Sequence, residues 1–303
     1  VVALDGSPAA AAAFSVACPV AAQLGTGVEV LHVAAAPVVA EGLADLLHVP
    51  PELRTVTAHL ELGDPVQELI RVADDTAVPL LVLTTHGREV EGPQHLTSVA
   101  RAVAARAQGP ILLVHPEMAS KRSPATPLQH FLVPFEGSGK TAAALGPAMT
   151  LIARIGGGDG IWLDLLQVVH PRQLPLAERG SLSPPFYVDQ PQHEWPAWRQ
   201  RVIRWLRESC RAVPAQAPVR VFLTPAAAAG EVGAAIAAFA AEHGEDLIIV
   251  VRRSHLEKGR GLVLGKVLEL TPCPVLLVGA SVDGNDGLAT PAQARHSQSQ
   301  PGG

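Results

Sequence analysis

The sequence predicts an α/β fold of two tandem doubly wound domains, each on a five-stranded parallel sheet. Three observations predict it. Short, continuous apolar runs alternate with helix-like stretches along the chain, and strands apolar on both faces belong to parallel sheets covered by helices on both sides. The opening segment Val2-Ala3-Leu4-Asp5-Gly6-Ser7, followed by an alanine run, returns as Val133-Pro134-Phe135-Glu136-Gly137-Ser138, again followed by alanines. Two more echoes keep the same order. Gly63-Asp64-Pro65-Val66 before Leu80–Leu83 is matched by Gly230-Glu231-Val232-Gly233 before Leu247–Val250, and Gly109-Pro110 before Ile111–Val114 by Cys273-Pro274 before Val275–Val278. Three echoes in one order indicate two copies of one domain.

In chain order, Val1–Leu4 reads as a strand ending in Asp5-Gly6-Ser7, a turn and helix N-cap. Pro8–Gln23 is alanine-rich and reads as a helix that Pro19 must kink or shorten. Val28–Val33 is a second strand, and Ala34–Leu53 is weakly patterned and partly helical. Val56–Leu62 alternates apolar and polar residues and reads as a third strand. Asp64 or Pro65 opens a helix to about Thr76; Leu80–Leu83 is a fourth strand. A loop over Thr84–Leu96 leads into a helix over Thr97–Ala107, and Ile111–Val114 is the fifth strand.

The first domain is expected at 1–116, a linker at 117–129, the second domain at 130–280 and a disordered tail at 281–303. The second domain carries an insertion at 170–218: a proline-rich loop, then an arginine-rich amphipathic helix, Trp195–Ala212. Its Trp198, Val202, Trp205 and Leu206 fall at helical spacing and are expected to face the sheet.

Composition excludes several classes. At 303 residues, 48% hydrophobic and 17% charged, the chain suits packed domains rather than disorder. A net charge of −5 supplies no global field for nucleic acid. Cys18, Cys210 and Cys273 lack C-x-x-C spacing and read as free thiols of a reducing compartment. No apolar run approaches the ~20 residues of a membrane span, so the expectation is a cytoplasmic protein without membrane or nucleic-acid partners. The histidines are scattered, and none forms an i, i+4 pair with a catalytic carboxylate on a clear helix, so no zinc or other metal site is expected. No serine elbow, Cys–His pair or paired carboxylates mark a catalytic centre, so no catalytic residue is assigned.

The sharpest local signal is Thr84-Thr85-His86-Gly87-Arg88, followed by Thr97-Ser98-Val99, between an apolar strand and a helix. Such a segment can cradle an anion. Glycine allows close backbone approach, free helix-start N–H groups point at the ligand, and Ser or Thr hydroxyls add donors. Here the chain resembles the universal stress protein family, over essentially everything except linker, insertion and tail. That family opens on a strand ending in Asp-Gly-Ser. Its nucleotide motif follows the fourth strand: Gly, two residues, Gly, nine residues, then Gly-Ser or Gly-Thr. Thr84 stands at the first glycine, Gly87 at the second, and Thr97-Ser98 at the final pair.

The resemblance implies an adenine-nucleotide alpha-hydrolase-like fold. It also implies pairing of the two domains through their last strands as an intramolecular pseudo-dimer, with homodimerisation left open. It further implies ATP, with or without Mg²⁺, in the first domain only. Asp5, with Gly6 and Ser7 in its turn, would meet the nucleoside, and Val33 the base through its backbone. Gly87, Arg88, Ser98 and Val99 would line the phosphates. His86 would contact ribose or phosphate, or simply satisfy the loop. Thr84 and Thr97 replace glycines and add bulk, yet either hydroxyl could donate to a phosphate.

The second copy departs further. Glu136 replaces the Asp, the loop after its fourth strand reads Val251-Arg252-Arg253-Ser254 without glycine, and Gly261-Leu262 stands at the final pair. Leu262 cannot donate a hydrogen bond, so this copy is expected not to bind ATP. Gly137-Ser138-Gly139-Lys140-Thr141 imitates the end of a P-loop, but Pro134 stands where that loop needs a further glycine. The expected function is an ATP-responsive stress module with slow hydrolysis at most and an unidentified protein partner. The alternative is a nucleotide-free scaffold that uses the insertion as a protein-binding surface.

Overall fold

The computed structural model describes residues 1–34, 42–53, 56–85, 97–119, 127–135, 148–155, 161–169, 194–209, 217–225, 231–252, 260–271 and 273–279. The first half runs β1 (Val2–Ala3), α1 (Pro8–Ala11), α2 (Phe14–Leu24), β2 (Glu29–Ala34), α3 (Leu43–Leu46), β3 (Thr57–Leu62), α4 (Pro65–Ala73), β4 (Leu81–Thr84), α5 (Ser98–Arg106) and β5 (Ile111–Val114). A single helical turn, α6 (Pro116–Ala119), opens the expected linker. The second half runs β6 (His130–Pro134), α7 (148–155), β7 (Trp162–Val169), α8 (Glu194–Ser209), β8 (Val219–Pro225), α9 (Val232–His243), β9 (Leu247–Arg252), α10 (Arg260–Leu270) and β10 (Val275–Gly279).

The strands form one ten-stranded sheet in the order β3-β2-β1-β4-β5-β10-β9-β6-β7-β8. Each half has the same order, third-second-first-fourth-fifth, with parallel pairing throughout. The expected α/β class is therefore what the chain adopts. The halves meet through their last strands, β5 against β10, antiparallel, with Leu112 opposite Leu276 and Ile111 opposite Leu277.

The continuous apolar strands have the reason the sequence implied. In β5, Leu112 and Val114 pack into one core layer and Ile111 and Leu113 into the other, since successive side chains point to opposite faces. Helices that follow first and second strands cover the first layer, through Phe14, Val16 and Val20 of α2, Met149 and Ile152 of α7, and Trp198, Val202 and Leu206 of α8. Helices that follow third and fourth strands cover the other, through Leu69 of α4, Val103 of α5, Phe239 of α9 and Val267 of α10. This is the doubly wound arrangement.

Two expectations are refined. The helix expected over Pro8–Gln23 breaks at Ala12–Ala13 and not at Pro19, which stays inside α2. At the break Ala12 and Ala13 reach back only three residues, to Ala9 and Ala10 at 3.2 and 3.1 Å. That tighter winding turns Ala13 and Phe14 onto the sheet. The helix of the insertion is the β7–β8 crossover itself. Trp198 is fully buried and Trp205 packs against the same layer, as expected. The rest of the insertion, 170–193 and 210–216, and the tail lie outside the described residues.

Candidate functional site

The first half's described candidates collect at the carboxyl ends of β1, β2 and β4. β1 lies between β2 and β4, with Val2 in register with Val30 on one side and Val82 on the other. The chain leaves β1 towards one face and β4 towards the opposite face, which opens a crevice at the carboxyl edge. Asp5, Gly6 and Ser7 follow β1, Val33 sits near the end of β2, Thr84 ends β4, and Ser98 and Val99 open α5. His86, Gly87 and Arg88 lie outside the described residues.

The Asp5 turn is built by its own side chains. Gly6 has φ +81°, a conformation glycine adopts without steric cost. Asp5 Oδ1 accepts from the Ser7 amide at 2.8 Å and the Ser7 hydroxyl at 2.6 Å. Ser7 Oγ in turn accepts from the Ala10 amide at 3.1 Å and caps α1. Ser7 is buried and its hydroxyl is committed to this turn, while Asp5 is exposed at the rim. One further residue steadies the turn. His32 of β2 donates from Nδ1 to the carbonyl of Leu4 at 2.7 Å. In the sequence His32 is one of the scattered histidines, with no motif around it. Its place beside β1 follows from the strand register, which no local motif encodes.

The second wall is formed by Thr84, Thr85 and Thr97, which flank the segment 86–96. Thr85 donates its amide to Val114 and accepts the Thr97 amide, both at 2.9 Å. The chain therefore departs and returns at one point, with Thr84 and Thr85 buried. Thr97 is the N-cap of α5, its Oγ1 accepting from Ala100 N at 3.1 Å. The amides of Ser98 and Val99 precede Ala100 in the first turn, where no helix carbonyl can reach them. With the helix dipole they offer a positive end to an anion. Ser98 is exposed and Val99 half-buried. Hence Thr84 forms part of the buried wall, whereas Thr97 and Ser98 stand at the opening.

Glu136 and the P-loop-like segment Gly137–Thr141 lie outside the described residues, as do Arg253–Lys258 of the second half's loop. Among the described residues no three His, Cys, Asp or Glu side chains are placed to hold a metal, and no helix is long and apolar enough to cross a membrane. A cleft between Val1, Val20, Leu24, Val78 and Leu80 lies at the amino ends of β1 and β4, the edge opposite the candidate site.

Residues 40–115 match the model of the universal stress protein family. A universal stress protein from Archaeoglobus fulgidus DSM 4304 shares the fold at a TM-score of 0.58 and 16% identity, over 92% of this chain and 97% of its own. A protein of unknown function from Pseudomonas aeruginosa PAO1 does so at 0.55 and 14% identity, over 87% of this chain and 85% of its own. A universal stress protein in complex with cAMP aligns over 52% of this chain and all of its own, at 17% identity and a TM-score of 0.34. A comparison with curated proteins gives no match.

Proposed function

We propose that this chain is a universal stress protein, a stress-response module that binds ATP in its first half; the match of residues 40–115 to that family's model supports the reading. The observation that carries the reading is the Thr97–Thr85 closure. It sets the open amides of Ser98 and Val99 at the carboxyl edge, in the same crevice as Asp5. Phosphates would sit on the α5 N-terminus, with the hydroxyls of Thr97 and Ser98 as further donors. The Asp5 carboxylate would accept from ribose hydroxyls, and the base would lie against the backbone near Val33. Gly87, Arg88 and His86 belong to the loop that would close over the phosphates. ATP would then stabilise the closed state and change the surface offered to a protein partner, because a ligand shifts a protein towards the state it binds better. The second half would serve as a structural partner, and the protein would reside in the cytoplasm.

One observation favours a nucleotide-free scaffold. Asp5 and Ser7 satisfy one another within the turn, so this turn has a structural reason to exist without a ligand. Calorimetry with ATP, with and without Mg²⁺, on the intact protein and on Gly87→Trp separates the two. Saturable binding at one site, lost in the variant, supports the nucleotide reading. No heat at saturating ATP in folded protein selects the scaffold.

A further inference from the structure

Among the described residues the ten-stranded sheet ends on two strands, β3 and β8. These edges are not alike. β8 closes on Pro225, which has no amide to give a ladder. β3, Thr57-Ala58-His59-Leu60-Glu61-Leu62, carries no proline and no glycine. Thr57, Ala58, His59 and Leu62 are exposed, and Leu62, at 55%, is the most exposed large hydrophobic residue of those described. Such an edge is a template for another strand unless something blunts it.

The backbone direction of β3 is fixed by its neighbour. Gly63, just beyond the strand, donates its amide to the carbonyl of Ala34 of β2 at 3.1 Å. In a parallel ladder alternate residues turn both backbone groups to the same side, so Thr57, His59 and Glu61 face β2. Ala58, Leu60 and Leu62 therefore turn their amides and carbonyls outward. A second copy of the chain, related by a two-fold axis, presents the same three residues in antiparallel order. Centred on Leu60, Ala58 meets Leu62 and Leu60 meets Leu60, all apolar, and each pair exchanges both N–H···O bonds. On the other face His59 stands opposite Glu61, twice by symmetry, and an imidazole N–H can donate to a carboxylate. Moving the centre to His59 sets that residue opposite itself. Moving it to Glu61 sets two carboxylates face to face, which is destabilising. Charge and apolar pattern together select one register.

We propose that two copies of this chain join antiparallel through β3, centred on Leu60, and continue the sheet from one molecule into the next. The joint is distinct from the β5–β10 joint within the chain, which lies at the centre of the sheet. The side chains it uses are already held in place. His59 Nε2 lies 3.3 Å from Glu29 of β2, and Glu61 lies 3.5 Å from Arg71 of α4. In the pair these groups line up as Glu29 and His59 of one copy, then Glu61 and Arg71 of the other. Because β3 pairs with itself and β8 is stopped by Pro225, the assembly closes at two chains.

Static light scattering of the intact chain tests this. The apparent mass should rise towards roughly twice that of the monomer as concentration increases. A monomer at every concentration up to about 1 mM overturns the proposal. Ala58→Pro removes an outward amide that β2 does not use, which an edge strand tolerates, and should abolish the dimer. Glu61→Lys sets a lysine opposite His59 at both places and should weaken the dimer roughly tenfold. Adding His59→Glu to that variant restores opposite charges in the same register and should recover the dimer. Circular dichroism checks that each variant is folded. A dimer indifferent to these changes lies elsewhere on the molecule and overturns the β3 assignment. A double variant that pairs no better than Glu61→Lys overturns the register and the proposal with it.

Discussion

The amide of Thr97 donates to the carbonyl of Thr85 at 2.9 Å, so an eleven-residue excursion of the chain, 86–96, begins and ends on adjacent backbone groups. Thr97 then caps α5 through Oγ1. Thr97 thus carries two structural tasks. Thr97→Ala keeps the backbone contact and removes the cap, which should destabilise the protein by about 1 kcal/mol. Thr97→Ser should stay close to the native value. Urea denaturation of the three proteins reads this directly, and an alanine variant as stable as the native chain would mean that the cap does not hold the helix start.

The joint between the halves is tight at its outer end. A Cβ built on Gly279, the last residue of β10, would meet the carbonyl oxygen of Gln108 at 2.3 Å. That oxygen is backbone, and its neighbours are fixed, since the amides of Gln108 and Gly109 both donate to Asp74 Oδ1 at 2.6 and 3.0 Å. Gly279→Ala must therefore move one strand against the other, at a cost of about 1–3 kcal/mol. Thermal unfolding should report the loss. Unchanged stability would show that β10 can slide against β5 without penalty.

Much of this fold is written in local pattern. Ile111–Val114 is a strand because it has no polar face to give a helix or a half-exposed sheet, and the structure returns those same bounds. The edge strand β3 reads as a strand from its alternating sequence, but its burial does not alternate: Thr57, Ala58, His59 and Leu62 are exposed, and only Leu60 and Glu61 are half-buried. The Thr97 cap was legible for the same reason, since a side-chain oxygen before a helix acts within four residues. What escaped depends on register. His32 reaches Leu4 only because β2 pairs with β1. Asp164 meets Arg220 only because β7 pairs with β8, which puts the two residues opposite one another. The break at Ala12–Ala13 escaped because the alanine run has no breaker there, and packing onto the sheet sets the position.

Cys273 should be inert in the folded protein. It is 5% exposed, and burial pushes its thiol up to about 12, so at neutral pH almost none is thiolate, the form that reacts. Cys18 is half-buried and should label faster. Alkylation followed by peptide mapping should find Cys273 modified only after denaturant is added. Labelling of Cys273 at the rate of Cys18 in native protein would contradict the packing around β10.

Asp5 is where the structural and ligand-binding readings part, and the choice of substitution separates them. Oδ1 anchors the turn by accepting from the amide and hydroxyl of Ser7. Asparagine retains a carbonyl oxygen at that place but loses the negative charge. Asp5→Asn should therefore keep the turn while weakening it by about 1 kcal/mol, the difference between a charged and a neutral acceptor. If the carboxylate accepts from a ribose, the same variant should also lose about 1 kcal/mol of nucleotide affinity, the charge assistance of that bond, or roughly fivefold in Kd. Asp5→Ala removes both roles and should lose stability and affinity together. Paired denaturation and calorimetry on the two variants decide the matter. An asparagine variant that binds ATP as the native chain does would confine Asp5 to the turn, leaving the α5 N-terminus to hold the nucleotide.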